Sequence, residues 1–324
     1  MGSESLSGAR PPQGVVEREI GDRKEWLGWR EDNVNASEAA CLWGDDIHPY
    51  LSAYKLWALR SGKIKPDGEN KAMIRGRLLE LPAIELMGME HPNWHVWRPA
   101  RYFFHPGWRV GATPDAFMRT YAQGGEIVAN LQIKTVGRWA FQKYWIDPDT
   151  KEVRVPLWIA VQATVETMMT GLEHNFVAAM VITDGGMLDL HLLPIPHRPG
   201  ILAALISRAN EFWRRVAEND PYPVNYAKDA DIVIELHRED DGEEIDLTPD
   251  DRIGNLIGIH GELTAAIREG EKAQKARTEI KAEIIDRMGN ARTGRYGEHV
   301  ITVKQVDKKG YVVGPTSYPQ LRIK

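Results

Sequence analysis

Cysteine is almost absent: Cys41 is the only one in 324 residues. A single thiol cannot form an internal disulfide, a cysteine-rich zinc site or a four-cysteine iron–sulfur cluster. No apolar run approaches the ~20 residues of a membrane-spanning helix, so no membrane partner is expected. There is no internal repeat and no glycine-rich loop to cradle phosphate; Gly124-Gly125 reads as a turn. The opening, Met1 to Gly14, is rich in Ser, Gly and Pro and lacks the apolar core of a signal peptide. A reducing, cytoplasmic setting is the expectation.

What is present is unevenly spread. The net charge is −5, but residues 1–227 hold 25 Lys/Arg against 27 Asp/Glu, residues 228–251 hold 2 against 11, and residues 252–324 hold 14 against 8. All 11 tryptophans lie between Trp26 and Trp213. This pattern predicts a flexible segment over 1–25, a globular core over 26–227, an acidic connector over 228–251 and a basic helical extension over 252–324. A local basic channel can coexist with an acidic total.

Periodicity and caps predict the elements. Asn35-Ala36-Ser37-Glu38 opens a short helix through Trp43. A second helix carries Tyr54, Leu56, Trp57 and Leu59 and stops at Gly62. Lys71 to Met87 reads as a helix apolar on most sides and therefore buried, with Pro82 disturbing its middle or marking its start. Trp108–Met118 and Glu126–Val136 read as two strands of a hairpin, with a turn over 119–125. In the second strand Asn130, Gln132 and Lys134 share one face, and Ala129, Leu131 and Ile133 the other. Pro156–Thr170 is a helix closed by Gly171, with Gln162 and Glu166 one turn apart. Strands follow over 174–183 and 187–193, then an amphipathic helix over 200–218. Pro249–Met288 is a long helix with a coiled-coil or helical-hairpin seam, which Gly261 and Gly270 can break. A small hairpin over 299–306 and 311–313 ends the chain. The architecture expected is α/β, a mixed sheet flanked by helices, with a helical C-terminal extension.

Thr113-Pro114-Asp115, followed seventeen residues later by Gln132-Ile133-Lys134, suggests a metal-dependent phosphodiesterase. Cutting a phosphodiester calls for a hard cation and oxygen ligands. Asp115 offers a carboxylate, Gln132 an amide oxygen and Ile133 a backbone carbonyl. Lys134 can orient or activate the attacking water, and Glu80 can approach from the helix behind. Glu85 competes for that role, but five helical residues separate the two by ~140°, so they cannot face one site together. Pro-Asp is also a common turn and Gln-x-Lys an ordinary strand face. His91 and His95 have helical metal spacing, but Pro92 points to a loop. Cys41 reads as a small buried residue.

Five blocks in order resemble the lambda-exonuclease-like, or YqaJ-type viral recombinase, branch of the PD-(D/E)XK nucleases. They are Trp26-Leu27-Gly28-Trp29-Arg30 with Asn35-Ala36-Ser37-Glu38; Arg75-Gly76-Arg77-Leu78-Leu79-Glu80; Ala112-Thr113-Pro114-Asp115; Gln132-Ile133-Lys134; and Trp158-Ile159-Ala160-Val161-Gln162. The resemblance implies a restriction-endonuclease-like core. It also implies a Mg2+-dependent exonuclease, with Mn2+ able to substitute, that degrades one strand of linear double-stranded DNA 5′ to 3′. A ring-shaped homo-oligomer, a trimer in known members, and a single-strand annealing protein as recombination partner are implied too. By motif, Glu80, Asp115, Gln132 and the Ile133 carbonyl hold metal, Lys134 assists the nucleophile, and Gln162 supports them. Arg30, Ser37 and Thr113 fall where the family binds the 5′-terminal phosphate. A guanidinium suits that role, though a surface arginine at a helix end has the same local sequence.

Gln132 departs from the family, which usually has glutamate there; an amide lacks one negative charge for the cation. That departure motivates one rival, a DNA-end-binding protein with a weakened metal site. A restriction-type endonuclease is another.

Overall fold

The computed structural model describes residues 9–122, 125–198, 200–237, 246–288, 293–296 and 298–302. The chain divides into two units, 1–236 and 237–324.

In chain order the first unit contains β1 (Val16–Glu19), α1 (Arg23–Glu31), β2 (Val34–Asn35), α2 (Ala36–Ala39) with a 3-10 turn over Ala40–Trp43, and α3 (Ala53–Arg60). Next come α4 (Lys71–Glu90), β3 (His95–Trp97), β4 (Arg101–His105), β5 (Val110–Ala112), β6 (Ala116–Ala122) and β7 (Gly125–Gly137). The unit ends with α5 (Arg138–Tyr144), α6 (Leu157–Thr170), β8 (His174–Ile182), β9 (Leu188–Pro194), α7 (Gly200–Glu218) and α8 (Tyr226–Leu236). One sheet has the order β1-β4-β5-β2 and the other β3-β6-β7-β8-β9. Both are mixed, since β2 runs parallel to β5 and β7 parallel to β8 while their other pairs are antiparallel. The expected α/β architecture, mixed sheet flanked by helices, is what the chain forms.

The two faces of β7 explain the layering. Ala129, Leu131 and Ile133 pack with Ala83 and Met87 of α4 and with Ala178 and Met180 of β8. On the opposite face, Val136 of β7 with Val177, Ala179 and Val181 of β8 meets Phe141 and Trp145 at α5 and Ile159 and Ala163 of α6. A strand covered on both sides needs a helical crossover to reach its parallel neighbour, and α5–α6 supplies it. Helix α6 is covered from the far side as well, where Val161, Val165 and Met169 join a second cluster with Leu56, Trp57, Leu205 and Phe212. Its hydroxyls turn back onto their own helix: Thr167 donates to the Ala163 carbonyl at 2.8 Å and Thr170 to the Glu166 carbonyl at 3.0 Å. Gly171 closes it in the left-handed conformation at φ 71°.

Five expectations are corrected. Helix α4 is not buried on most sides: only Ala83 and Met87 are, while Leu78 and Leu81 are 62% and 59% exposed. Pro82 does not interrupt it. The carbonyl that Pro82 leaves without a donor belongs to Leu78, an exposed residue. The strand expected over Trp108–Met118 is two strands in different sheets, because Thr113-Pro114-Asp115 carries the chain from β5 to β6. Strand β6 then runs through Ala122, past the start of the expected turn. Lastly, the segment after Tyr226 begins as helix α8, whose Asp229 is buried and accepts a hydrogen bond from the Ser52 hydroxyl. The division between units therefore falls after Leu236.

The second unit contains α9 (Asp251–Met288), unbroken at Gly261 and Gly270, and β10 (Thr293–Tyr296) paired antiparallel with β11 (His299–Thr302). The expected strand at 311–313, residues 303–306 of the one expected over 299–306, and residues 238–245 of the expected acidic connector lie outside the described residues. Among the described residues no helix is long and apolar enough to cross a membrane.

Candidate active site

Asp115 sits at the switch between the two sheets, one residue before β6. The register pairs Ala116 with Leu131, which sets Asp115 opposite Gln132. Its Oδ2 accepts the Ile133 backbone N–H at 2.9 Å and also the Gln132 side-chain amide. Gln132 is fully buried. Its Nε2 lies 3.3 Å from the Ile133 carbonyl, and its Oε1 accepts from Gln162 Nε2 at 2.9 Å. Two residues along β7, Lys134 Nζ donates to Gln162 Oε1 at 3.0 Å. Gln162 also donates to Glu166 Oε1 at 2.9 Å, one turn down α6.

An ammonium can only donate, so the atom of Gln162 facing Lys134 must be its oxygen. Its nitrogen then faces Gln132, which must answer with oxygen. The amide nitrogen of Gln132 is thereby turned toward Asp115 and the Ile133 carbonyl. Sequence reasoning assigned Gln132 an oxygen ligand; in this arrangement it presents N–H, and turning its oxygen toward Asp115 would forfeit the bond it accepts from Gln162.

Glu80 arrives from α4. Helix α4 is tethered to β7 beside Lys134, where Arg75 Nη2 donates to the Thr135 carbonyl at 3.2 Å and a Cβ on Gly76 would stand 4.0 Å from Thr135 Oγ1. Glu80 pairs with Arg98 at 2.7 Å, whereas Glu85 is exposed. Burial raises the Glu80 carboxyl above its ordinary range, and Asp115 adds to the effect by repulsion. Asp115 is itself raised by burial. Glu166, fully buried, is pushed up to about 8 by burial and then by the charge on Asp115.

These features bear on whether a metal suits the site. Among the described residues no three His, Cys, Asp or Glu side chains converge as a ligand set. A set here would combine the Glu80 and Asp115 carboxylates with the Ile133 carbonyl and a turned Gln132 amide. All four are hard oxygen donors, the chemistry of Mg2+ or Mn2+. Carboxylates that hold one another's protons by burial and repulsion are what a cation relieves. The residues fit such an ion.

The three candidates for the terminal phosphate lie together. Arg30 Nη2 donates to Ser37 Oγ at 3.1 Å, and its guanidinium stands 4.9 Å from the Trp26 ring. Trp26 Nε1 donates to Thr113 Oγ1 at 3.1 Å. The segment joining α1 to α2, between Arg30 and Ser37, is braced by Arg60, which pairs with Glu38 at 2.7 Å and donates to the Asn33 carbonyl at 3.1 Å. Only Pro114 separates Thr113 from Asp115, so one member of the phosphate group shares a loop with the carboxylate centre.

Sequence reasoning missed Arg98 and the part played by Glu166. Arg98 left no local signal. Glu166 did: a glutamate one turn from Gln162, in a helix otherwise buried, needs a partner. That partner is Gln162, with Asn130 Nδ2 at 3.4 Å from the other oxygen. The remaining suspects are inert. Cys41 is buried and its thiol is raised by that burial. His91 caps the end of α4 and His95 begins β3, so no helix joins them. A cavity of about 430 Å³ opens beside Leu157, Val161 and Leu193, on the face of α6 away from Gln162.

No protein-family model matches the chain, and no curated protein matches it in sequence. Solved structures are similar in outline. The alkaline exonuclease LHK-Exo from Laribacter hongkongensis is 18% identical over 61% of this chain and 94% of that one, with a TM-score of 0.43. The shutoff and exonuclease protein of Kaposi's sarcoma-associated herpesvirus is 12% identical over 59% and 68%, with a TM-score of 0.33. An RNA complex of KSHV SOX gives 11% identity over 62% and 72%, with a TM-score of 0.35.

Proposed function

We propose that the chain is a metal-dependent deoxyribonuclease, an exonuclease that degrades linear double-stranded DNA from a 5′ end during recombination. One observation carries the reading: Asp115 and Lys134 reach one centre from paired strands, with Glu80 entering from α4. Glu80, Asp115, the Ile133 carbonyl and Gln132 would hold the Mg2+ or Mn2+ ion. Such an ion, when bound, supplies positive charge to offset that developing on the phosphate. Lys134 orients the attacking water and holds its proton balance, its ammonium aimed by Gln162. Arg30, with Ser37 and Thr113, grips the terminal phosphate and keeps the end in register with the carboxylates. The product would feed a single-strand annealing protein, and a homo-oligomeric ring would enclose the duplex, as the family resemblance implies.

A second reading has its own support. The N–H end of Gln132 lies toward Asp115 and the Ile133 carbonyl, where an ion's ligands would otherwise converge. This favours a DNA-end-binding protein of the same recombination process with a weakened metal site.

The decisive assay uses three duplex substrates: linear with 5′ phosphate, linear with 5′ hydroxyl, and covalently closed circular, each with and without Mg2+ or Mn2+. Metal-dependent loss of the linear forms with the circle intact supports the exonuclease. Cutting of the circle would replace it with an endonuclease, and binding without cutting at any metal concentration would leave the end-binding reading.

A further inference from the structure

Glu80 is held by a cation that belongs to the protein itself. Arg98 Nε pairs with Glu80 Oε1 at 2.7 Å, and the two side chains are 52% and 20% exposed, so the pair stands at the rim of the centre with Arg98 on the solvent side. The backbone beneath Arg98 is fixed. Trp97 ends β3 in one sheet and Arg101 begins β4 in the other. Between them Pro99 keeps Arg98 extended, and Ala100 takes the left-handed conformation at φ 48°. The Ala100 carbonyl accepts the Ile20 N–H at 2.8 Å. This linker plants the stem of Arg98 beside the centre, while the half-exposed side chain has water on one side into which to turn.

The charge of Arg98 reaches both carboxylates. Burial and the charge of Asp115 raise the Glu80 carboxyl, and Arg98 is the foremost group acting against them. At Asp115 burial again raises the carboxyl, and Lys134, the Ile133 N–H and Arg98 oppose it. A neutral hydrogen-bond donor behind a ligating carboxylate orients it and strengthens a metal site. Arg98 brings a full positive charge instead, and it holds an oxygen that a divalent cation would need; like charges at this range repel. Turned away from Glu80, the guanidinium would stand beside the centre with five N–H donors in a fork that matches a phosphate.

We infer that Arg98 is the internal counter-ion of the centre. It occupies Glu80 while no divalent cation is bound, gives Glu80 up when one binds, and then takes a phosphate of the DNA backbone. Metal and DNA are thereby coupled, each tightening the binding of the other by the same factor. The inference rests on the metal-dependent reading above.

Mn2+ titrations of the full chain, followed by the electron paramagnetic resonance of the unbound ion, test it. Without DNA, Arg98→Gln should bind Mn2+ about fivefold to tenfold more tightly than wild type, the scale of one nearby half-exposed charge. Arg98→Lys, which keeps the charge, should stay within about twofold of wild type. A nuclease-resistant duplex, with phosphorothioate linkages and a 5′ phosphate, should tighten Mn2+ binding about fivefold more in wild type than in Arg98→Gln. Asp115→Asn marks the site and should abolish the binding in every case. Equal or weaker Mn2+ binding by Arg98→Gln would make Arg98 a support for Glu80 and not its competitor. Equal tightening by DNA in both chains would remove the coupling. Either result, with Asp115→Asn still abolishing the binding, overturns the inference and leaves the metal centre standing. Mn2+ binding that is absent, or indifferent to Asp115→Asn, overturns both.

Discussion

Lys134 Nζ donates to Gln162 Oε1 across 3.0 Å, joining β7 to α6. That single bond settles the direction of the amides behind it. Gln162 donates to Gln132, and Gln132 donates to Asp115. Charge at one end of the chain of side chains therefore reaches the carboxylate at the other through two oriented amides, with Glu166 accepting the spare hydrogen of Gln162.

Asp115→Asn and Lys134→Ala should each reduce metal-dependent cleavage by about a thousandfold or more, while circular dichroism and melting stay near wild type. Charge stabilisation and placement of the nucleophile act in the transition state, so rate should fall far more than DNA affinity. Cleavage within a few-fold of wild type by either variant would remove the pair from the centre.

Gln132→Glu should raise activity or lower the Mg2+ requirement. A glutamate in this position cannot donate to Asp115, so without metal it adds a third buried carboxylate beside Asp115 and Glu166 and should lower the melting temperature. Mg2+ should restore it. A melting temperature indifferent to Mg2+, in wild type and variant alike, would mean that no ion binds there.

Glu166 sets a pH dependence of stability. Its folded-state pKa, about 8, lies above the ordinary glutamate value near 4.3. The folded chain thus holds a proton that the unfolded chain has released between those values. The stabilisation is complete below about pH 4 and is lost as pH rises through about 8. Glu166→Gln should flatten that part of the melting-versus-pH curve, since its amide oxygen still accepts from Gln162. Parallel curves for wild type and variant between pH 5 and 9 would contradict it.

Arg30→Ala should slow digestion of 5′-phosphorylated ends about tenfold more than of 5′-hydroxyl ends, the scale of a charge-assisted hydrogen bond. Steady-state rates on the two substrates give the ratio directly. Equal slowing would assign Arg30 to general DNA binding or to the fold.

A fragment ending at His237 should keep cleavage at wild-type rates per site, because every proposed ligand lies before it. One ending at Tyr226 deletes α8 and the buried Asp229, leaving Ser52 without its acceptor. It should be less stable by about 2–3 kcal/mol. Urea unfolding of the two fragments measures the difference, and equal midpoints would show that α8 contributes nothing to the first unit.

What the amino-acid order determined by itself was local. The alternation of Asn130, Gln132 and Lys134 with Ala129, Leu131 and Ile133 already says that β7 has two different faces. Gly171 already ends α6, and Asn35 with Glu38 already starts α2, because capping and periodicity involve residues within a turn of one another. What only the tertiary structure decided depends on partners far apart in the chain. Thr113-Pro114-Asp115 reads as part of one strand until β5 and β6 are seen in separate sheets, and that step is what sets Asp115 against Gln132. Apolar residues around α4 suggest burial, but the sheet covers one side of it alone, leaving Leu78 and Leu81 in water. The direction of the Gln132 amide is set neither by Gln132 nor by its neighbours in sequence. It follows from Lys134 through Gln162, 28 residues further on, because an ammonium has no acceptor to offer and each amide in turn has only one way left to face.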